Sequence, residues 1–168
     1  MNVHRQTARA LHQEHQANLE LLDRVEAALG RVAPGAWRSA IAPGRELPKL
    51  FAALEFQLAR DVERHFAFEE AELFPRLVES GDGDIAALLS SEHEAIRDLA
   101  SEMLPLANAA AASSLDEVGW AALSRGASEL TERQVSHIQK EEMALLPMLD
   151  DLLDDETDRR LATEYASA

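Results

Sequence analysis

Apolar residues recur at i, i+3, i+4 and i+7 through four long segments of the chain, which is the pattern of amphipathic helices. No stretch alternates apolar and polar residues as a half-buried β-strand would. Four long helices with short connections predict an all-α fold, an antiparallel up-down-up-down four-helix bundle, over residues 1–152. Residues 153–168 are predicted to form an acidic C-terminal tail with a short helix. The four segments span approximately residues 7–29, 47–80, 85–111 and 115–152.

Capping residues and prolines mark the ends of these segments. Asp84 and Ser114 are the predicted N-caps of the third and fourth helices, because short polar side chains accept the free backbone N–H groups of a first turn. Pro75 and Pro147 lie late in the second and fourth segments, where each removes a backbone donor. The favoured interpretation is that both prolines help to end their helices.

Two segments of the chain repeat one pattern, "HFAFEEAELFPRL" from His65 and "HIQKEEMALLPML" from His137. In each, the histidine is followed by Glu at +4 and +5, Leu at +8, Pro at +10 and Leu at +12. A second pair consists of "EHQANL" around His15 and "EHEAIRDL" around His93. The two halves of the predicted bundle therefore form an approximate duplication, with one His on the first helix and His-x-x-x-Glu on the next.

The duplicated His and Glu residues share the apolar face of their helices. Glu69 lies about 40° around the helix from His65, on the face that carries the core leucines, and the second copy repeats this relation. Glu70 points aside and is predicted to be solvated. His15 and His93 also lie on apolar stripes. Burying an imidazole or a carboxylate without a partner is costly, so these residues need a partner inside the bundle.

Four imidazoles and two carboxylates can meet at one level of the predicted bundle. A single His on an apolar stripe is usually a satisfied core residue. Four of them, one per helix and two with a carboxylate one turn further, favour a metal site instead. Nitrogen and carboxylate ligands without sulfur suit iron, manganese or zinc, and six such groups suffice for two ions. A metal also stabilises the neutral imidazole and the ionised carboxylate, which removes the burial penalty.

The remaining composition narrows the classes of function. The formal net charge of −15 repels phosphate backbones and anionic membrane surfaces, so neither nucleic acid nor a membrane is an expected partner. The chain has no cysteine, which excludes disulfides, thiolate nucleophiles and zinc–thiolate or iron–sulfur ligation. The sequence shows no signal-peptide core and no membrane-spanning stretch, so a cytoplasmic location is expected.

The order of ligand types separates this chain from ferritin-like di-iron bundles. Those require Glu-x-x-His, with the carboxylate before the histidine. Here the positions three residues before the four histidines hold no acid; they are His12, Val62, Ser90 and Gln134. The chain instead resembles the hemerythrin-like, or HHE cation-binding, family over approximately residues 7–150, through "EHQANL", "HFAFEEAELFPRL", "SEHEAIRDL" and "HIQKEEMALLPML".

This resemblance implies an antiparallel four-helix bundle around a non-haem di-iron centre, bridged by two carboxylates and an oxo or hydroxo group. The family's oxygen carriers have a further His four residues after the helix-3 ligand, where this chain has Arg97. They also place the last carboxylate five residues after its His, which would select Glu142. Helix geometry and the match with the first copy favour Glu141. By this resemblance the metal ligands are His15, His65, Glu69, His93, His137 and Glu141.

The ligand count also bears on function. The four-His, two-Glu set is closer to relatives that repair iron centres after nitrosative stress, although those usually carry a Cys-containing N-terminal segment that this chain lacks. Without a fifth His, both irons are expected to keep an open position, unless a water or His12 completes one of them. Asp61, one turn before His65, is a candidate acceptor for an outer imidazole N–H.

An open centre of this kind is expected to react with O2, peroxide or nitric oxide. The chain would then act as a sensor, a stress-response protein or a reductase. The alternatives are an iron-holding or iron-centre-repair protein, and a structural module that binds zinc.

Overall fold

The computed structural model describes residues 4–167, apart from the side chain of Asp61. Residues 1–3, at the start of the predicted bundle (1–152), and residue 168, at the end of the predicted tail (153–168), lie outside the described residues. Within the described residues the chain is helical and contains no strand. The helices are α1 (Gln6–Gly30), the short α2 (Trp37–Ala40), α3 (46–80), α4 (Gly83–Ala111), α5 (117–152) and α6 (Asp155–Ser167).

The four long helices form a helical bundle in which each packs against two others. Helix α1 contacts α3 and α5, and α4 also contacts α3 and α5. Helix α6 lies outside this ring and packs on α1. The apolar core is divided into two clusters, one around Leu54 and Leu130 and the other around Leu77 and Leu149. None of the described helices is long and apolar enough to cross a membrane.

Helices α3 and α5 each contain a π turn that ends two residues before their proline, at Glu69–Leu73 and at Glu141–Leu145. A proline ring clashes with the carbonyl four residues earlier in a regular α-helix, and the wider turn relieves that clash. Both helices continue beyond the proline, to residues 80 and 152. The interpretation of Pro75 and Pro147 as helix terminators is therefore wrong. A third π turn lies at Gln57–Asp61.

Both predicted N-caps are wrong, each by two residues. Helix α4 begins at Gly83 with Asp82 in the N-cap position, because Gly81, with φ of 99°, ends α3 immediately before it. Helix α5 begins at Glu117, and the carboxylate of Asp116 accepts a 2.7 Å hydrogen bond from the backbone N–H of Gly119. A carboxylate at this position also benefits from the helix dipole, which favours it over the nearby serine hydroxyl.

Helix α1 receives its N-terminal cap from α6. Arg5 occupies the N-cap position without a capping side chain of its own. Instead, the two carboxylate oxygens of Asp158 accept hydrogen bonds from the backbone N–H groups of Gln6 and Thr7, each at 2.9 Å. The hydroxyl of Thr7 donates to the carbonyl of Asp158 at 3.2 Å. These bonds fix α6 against the start of α1 and thereby determine where the last turn of α6 lies.

Candidate metal centre

The six residues proposed from the sequence lie together between the two apolar clusters. All six side chains are buried, and both glutamates have no exposed surface. Their ligand atoms form two groups, and within each group these atoms lie within 4.8 Å of one another. The first group contains His15 and His65, the second contains His93 and His137, and the two glutamates, Glu69 and Glu141, belong to both.

In the first group, two imidazoles and one oxygen from each carboxylate converge. The Nε2 atoms of His15 and His65 are 3.2 Å apart. His15 Nε2 is 3.1 Å from Glu141 Oε2, and His65 Nε2 is 3.3 Å from Glu69 Oε1. Two nitrogens bound to one metal at ordinary bond lengths are about 3.0–3.4 Å apart, so the imidazole pair has the separation that a shared ion requires.

The second group repeats this arrangement with the other oxygen of each carboxylate. The Nε2 atoms of His93 and His137 are 3.1 Å apart. His137 Nε2 is 2.9 Å from Glu141 Oε1, and His93 Nε2 is 3.3 Å from Glu69 Oε2. Each carboxylate therefore directs one oxygen to each group, which is the arrangement of a carboxylate that bridges two ions.

The surroundings of the carboxylate oxygens of Glu69 and Glu141 indicate whether metal ions fit between the imidazoles. None of the four oxygens of Glu69 and Glu141 accepts a hydrogen bond, although all four are buried. Buried carboxylates without partners are strongly destabilising, and coordination to a cation removes that cost. Each group offers two nitrogens and two oxygens and no sulfur, a donor set that suits iron, manganese or zinc. The residues present fit a pair of metal ions.

Each of the four imidazoles also has a partner for its outer nitrogen. The contacts are His15 Nδ1 to Glu142 Oε1 at 2.8 Å, His93 Nδ1 to Glu70 Oε1 at 2.7 Å, His137 Nδ1 to Glu92 Oε2 at 3.1 Å and His65 Nδ1 to the hydroxyl of Tyr165 at 2.8 Å. With the proton held on Nδ1, Nε2 carries the lone pair and is free to bind metal.

The role of these acids as partners of the outer nitrogens was not predicted from the sequence. Glu70 was predicted to be solvated, but its side chain is only 34% exposed and binds both His93 and Arg97. The signal was present in the duplication, because an acid follows each bridging glutamate and another precedes His15 and His93. The error has a simple cause: the partner of each acid lies on a neighbouring helix. The side chain of Asp61, proposed for this role, lies outside the described residues.

Cationic side chains hold three of the outer acids in place. The pairs are Arg97 Nη1 with Glu70 Oε1 at 2.8 Å, Lys140 Nζ with Glu92 Oε1 at 2.7 Å and Arg64 Nη2 with Glu14 Oε2 at 2.6 Å. Partial burial raises the pKa of each acid, but its hydrogen bonds outweigh burial and lower that pKa. These acids therefore stay ionised. Glu70 and Glu92 accept an imidazole N–H directly, and Glu14 accepts the hydroxyl of Tyr165.

In the metal-free protein, protons take the place of the cations. Burial by itself lowers the pKa of His93, but the adjacent Glu141 and Glu69 carboxylates outweigh burial and raise that pKa to about 9. Nearby carboxylates outweigh burial in the same way at His15 and His65 and raise their pKa values. Burial raises the pKa of Glu141, but the surrounding imidazoles lower it well below its usual range. The centre favours positive charge between its two carboxylates.

Two residues considered from the sequence lie outside the cluster. Arg97, at the position of the carriers' fifth histidine, binds Glu70 and lies over the ring of Phe66, 5.3 Å from its centroid. His12 directs Nδ1 to Glu142, 2.9 Å from both carboxylate oxygens, and not to the metal groups. Phe66 stacks on the imidazole of His93 with a centroid separation of 3.7 Å.

Comparison with known families identifies the class to which this site belongs. The family model for the hemerythrin HHE cation-binding domain matches residues 6–149. The chain therefore belongs to this family, which binds metal cations. A search of curated proteins gives no match. The family match ends before α6, so Tyr165 lies beyond the matched residues.

Proposed function

We propose that the chain binds two non-haem iron ions at the six-residue cluster and reacts with O2 or related small oxidants such as peroxide and nitric oxide. The paired donor sets carry this proposal. Each of two positions has two imidazole nitrogens and two carboxylate oxygens, and the four oxygens have no other partner. Iron held by such ligands supplies the redox chemistry that these oxidants require.

The proposal includes an antiparallel up-down-up-down order of the four long helices. The link between α3 and α4 is only two residues, 81–82, and such a short link favours antiparallel neighbours. The ring of packing contacts among α1, α3, α4 and α5 also supports this order. One imidazole comes from each of these helices, which requires all four to pass the centre at the same level.

The ligand count favours turnover over reversible carriage. With four protein atoms at each position, both ions keep places for solvent or a small oxidant. Arg97 cannot take the place of a fifth histidine, because its protonated guanidinium has no lone pair for a metal, and it pairs with Glu63 and Glu70 instead. His12 is directed to Glu142 instead of the cluster. We therefore propose a sensor or stress-response role over oxygen transport, with reduction of peroxide or nitric oxide as the reactions to test.

The residues around the cluster prepare it for this chemistry. The two apolar clusters on either side keep bulk water from the ligands. The outer acids accept the Nδ1 protons, so that Nε2 is the nitrogen that faces the metal positions. For partners, we propose small oxidants in the cytoplasm, with neither nucleic acid nor membrane, because the net charge of −15 opposes both.

Two alternatives keep the same ligands. The donor set also accepts manganese or zinc, and zinc would give a structural module without redox activity. An iron-holding or iron-centre-repair protein would release its iron to an acceptor. The family relation and the buried donor set apply equally to these alternatives, so the proposal is decided by reactivity.

The deciding experiment is stopped-flow absorption of the anaerobically iron(II)-loaded protein mixed with O2, and then with peroxide and nitric oxide. We expect a rapid passage to a stable oxidised spectrum. A spectrum that reverses when oxygen is removed would instead indicate a carrier. No reaction in iron-loaded protein would favour iron holding, and failure to bind iron would favour zinc. Glu132→Ala, on the surface of α5, is the matched control and should behave as the wild type.

A further inference from the structure

The C-terminal helix brings a phenol into contact with the metal centre. Tyr165 lies in the last turns of α6 and is only 4% exposed. Its ring packs against Phe68, with centroids 4.7 Å apart, and beneath the guanidinium of Arg64, 4.5 Å from the ring centroid. Arg64 also donates to the backbone carbonyl of Tyr165 at 2.9 Å. The bonds of Asp158 to the start of α1 fix the other end of the helix.

The hydroxyl of Tyr165 joins a metal-binding imidazole to an outer acid. It lies 2.8 Å from Nδ1 of His65 and 2.5 Å from Oε2 of Glu14. Because Nε2 of His65 faces the metal position, Nδ1 carries the proton and donates to the phenol oxygen. The phenol O–H in turn donates to Glu14. The carboxylate itself stays 3.5 Å from His65 Nδ1, beyond direct hydrogen-bond distance.

This arrangement breaks the symmetry between the two halves of the centre. The other three imidazoles donate directly to carboxylates, those of Glu142, Glu70 and Glu92. A carboxylate acceptor makes an imidazole a stronger metal donor than a neutral phenol does. In the other half, Glu92 contacts His137 with no intervening side chain, at 3.1 Å.

We propose that Tyr165 is a positioning residue for His65 and makes the two metal positions unequal. The position of His15 and His65 holds its ion less tightly than the position of His93 and His137. Helix α6 is thus a structural part of the metal centre, although it lies outside the four-helix ring. This inference rests on the proposed two-ion site.

The test compares Tyr165→Phe with Glu92→Gln in the full-length protein. The first substitution removes one oxygen, keeps the aromatic packing and takes away the acceptor for His65. The second weakens the equivalent acceptor for His137. Each protein is loaded anaerobically with the Mössbauer-active isotope of iron(II), its spectrum is recorded, and its iron affinity is measured by titration. Circular dichroism confirms that both variants keep the helix content of the wild type.

The wild type should bind two ions with two distinct signals. Tyr165→Phe should move one signal and weaken that position by about 10-fold, and Glu92→Gln should move the other, with a loss of about 10–100-fold. If the protein binds two ions but Tyr165→Phe has no effect, or if both variants move the same signal, the role of Tyr165 is overturned. The proposed function would still stand in that case. A wild type that binds fewer than two ions would overturn the proposed function, and with it this inference.

Discussion

At the scale of single residues, substitutions can separate the proposed metal ligands from the acids that contact their outer nitrogens. His93→Ala removes one of two nitrogens from a metal position, so we expect the loss of at least one bound ion. Within the six-residue cluster, Glu142 contacts only the outer nitrogen of His15, so Glu142→Ala should keep both ions with an affinity reduced by about 10–100-fold. Iron content after dialysis and anaerobic titration measure both effects. The reverse result would make Glu142 the bridging carboxylate of α5.

The pKa of His93 gives the metal-free protein a defined pH dependence. Its pKa is raised from 6.5 to about 9 on folding, so the folded state holds this proton more tightly. The resulting stabilisation, roughly 3 kcal/mol, is fully present below pH 6.5 and is lost as the pH rises through 9. The depressed pKa of Glu141 leaves its own contribution unchanged over this interval.

We therefore expect the free energy of unfolding of the metal-free protein, measured in urea, to fall between pH 6.5 and 9. The raised pKa values of His15 and His65 act in the same direction. His93→Gln, which cannot be protonated, should show a smaller fall. A stability that rises over this interval would contradict the assignment of the charge to the imidazoles.

The six cluster residues could be predicted from the sequence because their placement follows from helical periodicity. His65 and Glu69 share a face by their spacing alone, and the duplication supplied the rest. The partners of the outer nitrogens could not be found in this way. Glu70 and Glu92 reach across to neighbouring helices, and Tyr165 depends on how α6 docks. Periodicity orients a residue on its own helix but does not locate its neighbours.

At the scale of helices, the presence of each long helix was easier to predict than the residues at which it begins and ends. The four long segments were identified by their apolar stripes, but Asp116 and not Ser114 caps α5, since several polar residues compete at that turn. The prolines were misread because a π turn can absorb the clash without ending the helix. The capping of α1 by Asp158 of α6 is a tertiary contact between distant parts of the chain, so no local rule predicts it.

This cap yields a prediction for the docking of α6. Asp158→Ala leaves two backbone N–H groups of α1 without acceptors, so we expect the free energy of unfolding to fall by about 1–2 kcal/mol. Asp155→Ala is the matched control, because Asp155 is exposed on the same helix and forms an ion pair with Arg5. An exposed pair of this kind contributes about 0–1 kcal/mol. Equal losses in urea unfolding for the two variants would argue against the capping role.

At the scale of the whole molecule, the six-residue cluster lies between the two apolar clusters of the core. Metal binding at this place is therefore expected to be coupled to folding. Without metal, the buried oxygens of Glu69 and Glu141 have only the imidazoles of the cluster beside them to offset their charge. Ions at the proposed centre would bind these atoms only when α1, α3, α4 and α5 are assembled, and they would therefore favour the folded state. Free metal at 100 times the dissociation constant should add about 2.7 kcal/mol to the free energy of unfolding for each site.

We expect anaerobic iron(II) to raise the urea midpoint of the wild type until two ions are bound, and chelation to reverse the change. The rise in urea midpoint should be much smaller in His93→Ala. It should be as large as in the wild type in Glu132→Ala, which changes the surface of α5. One imidazole of the cluster comes from each long helix, so a pair of ions bound there would join all four helices. Equal midpoints with and without metal would mean that the ions bind elsewhere, at a site that forms independently of the bundle.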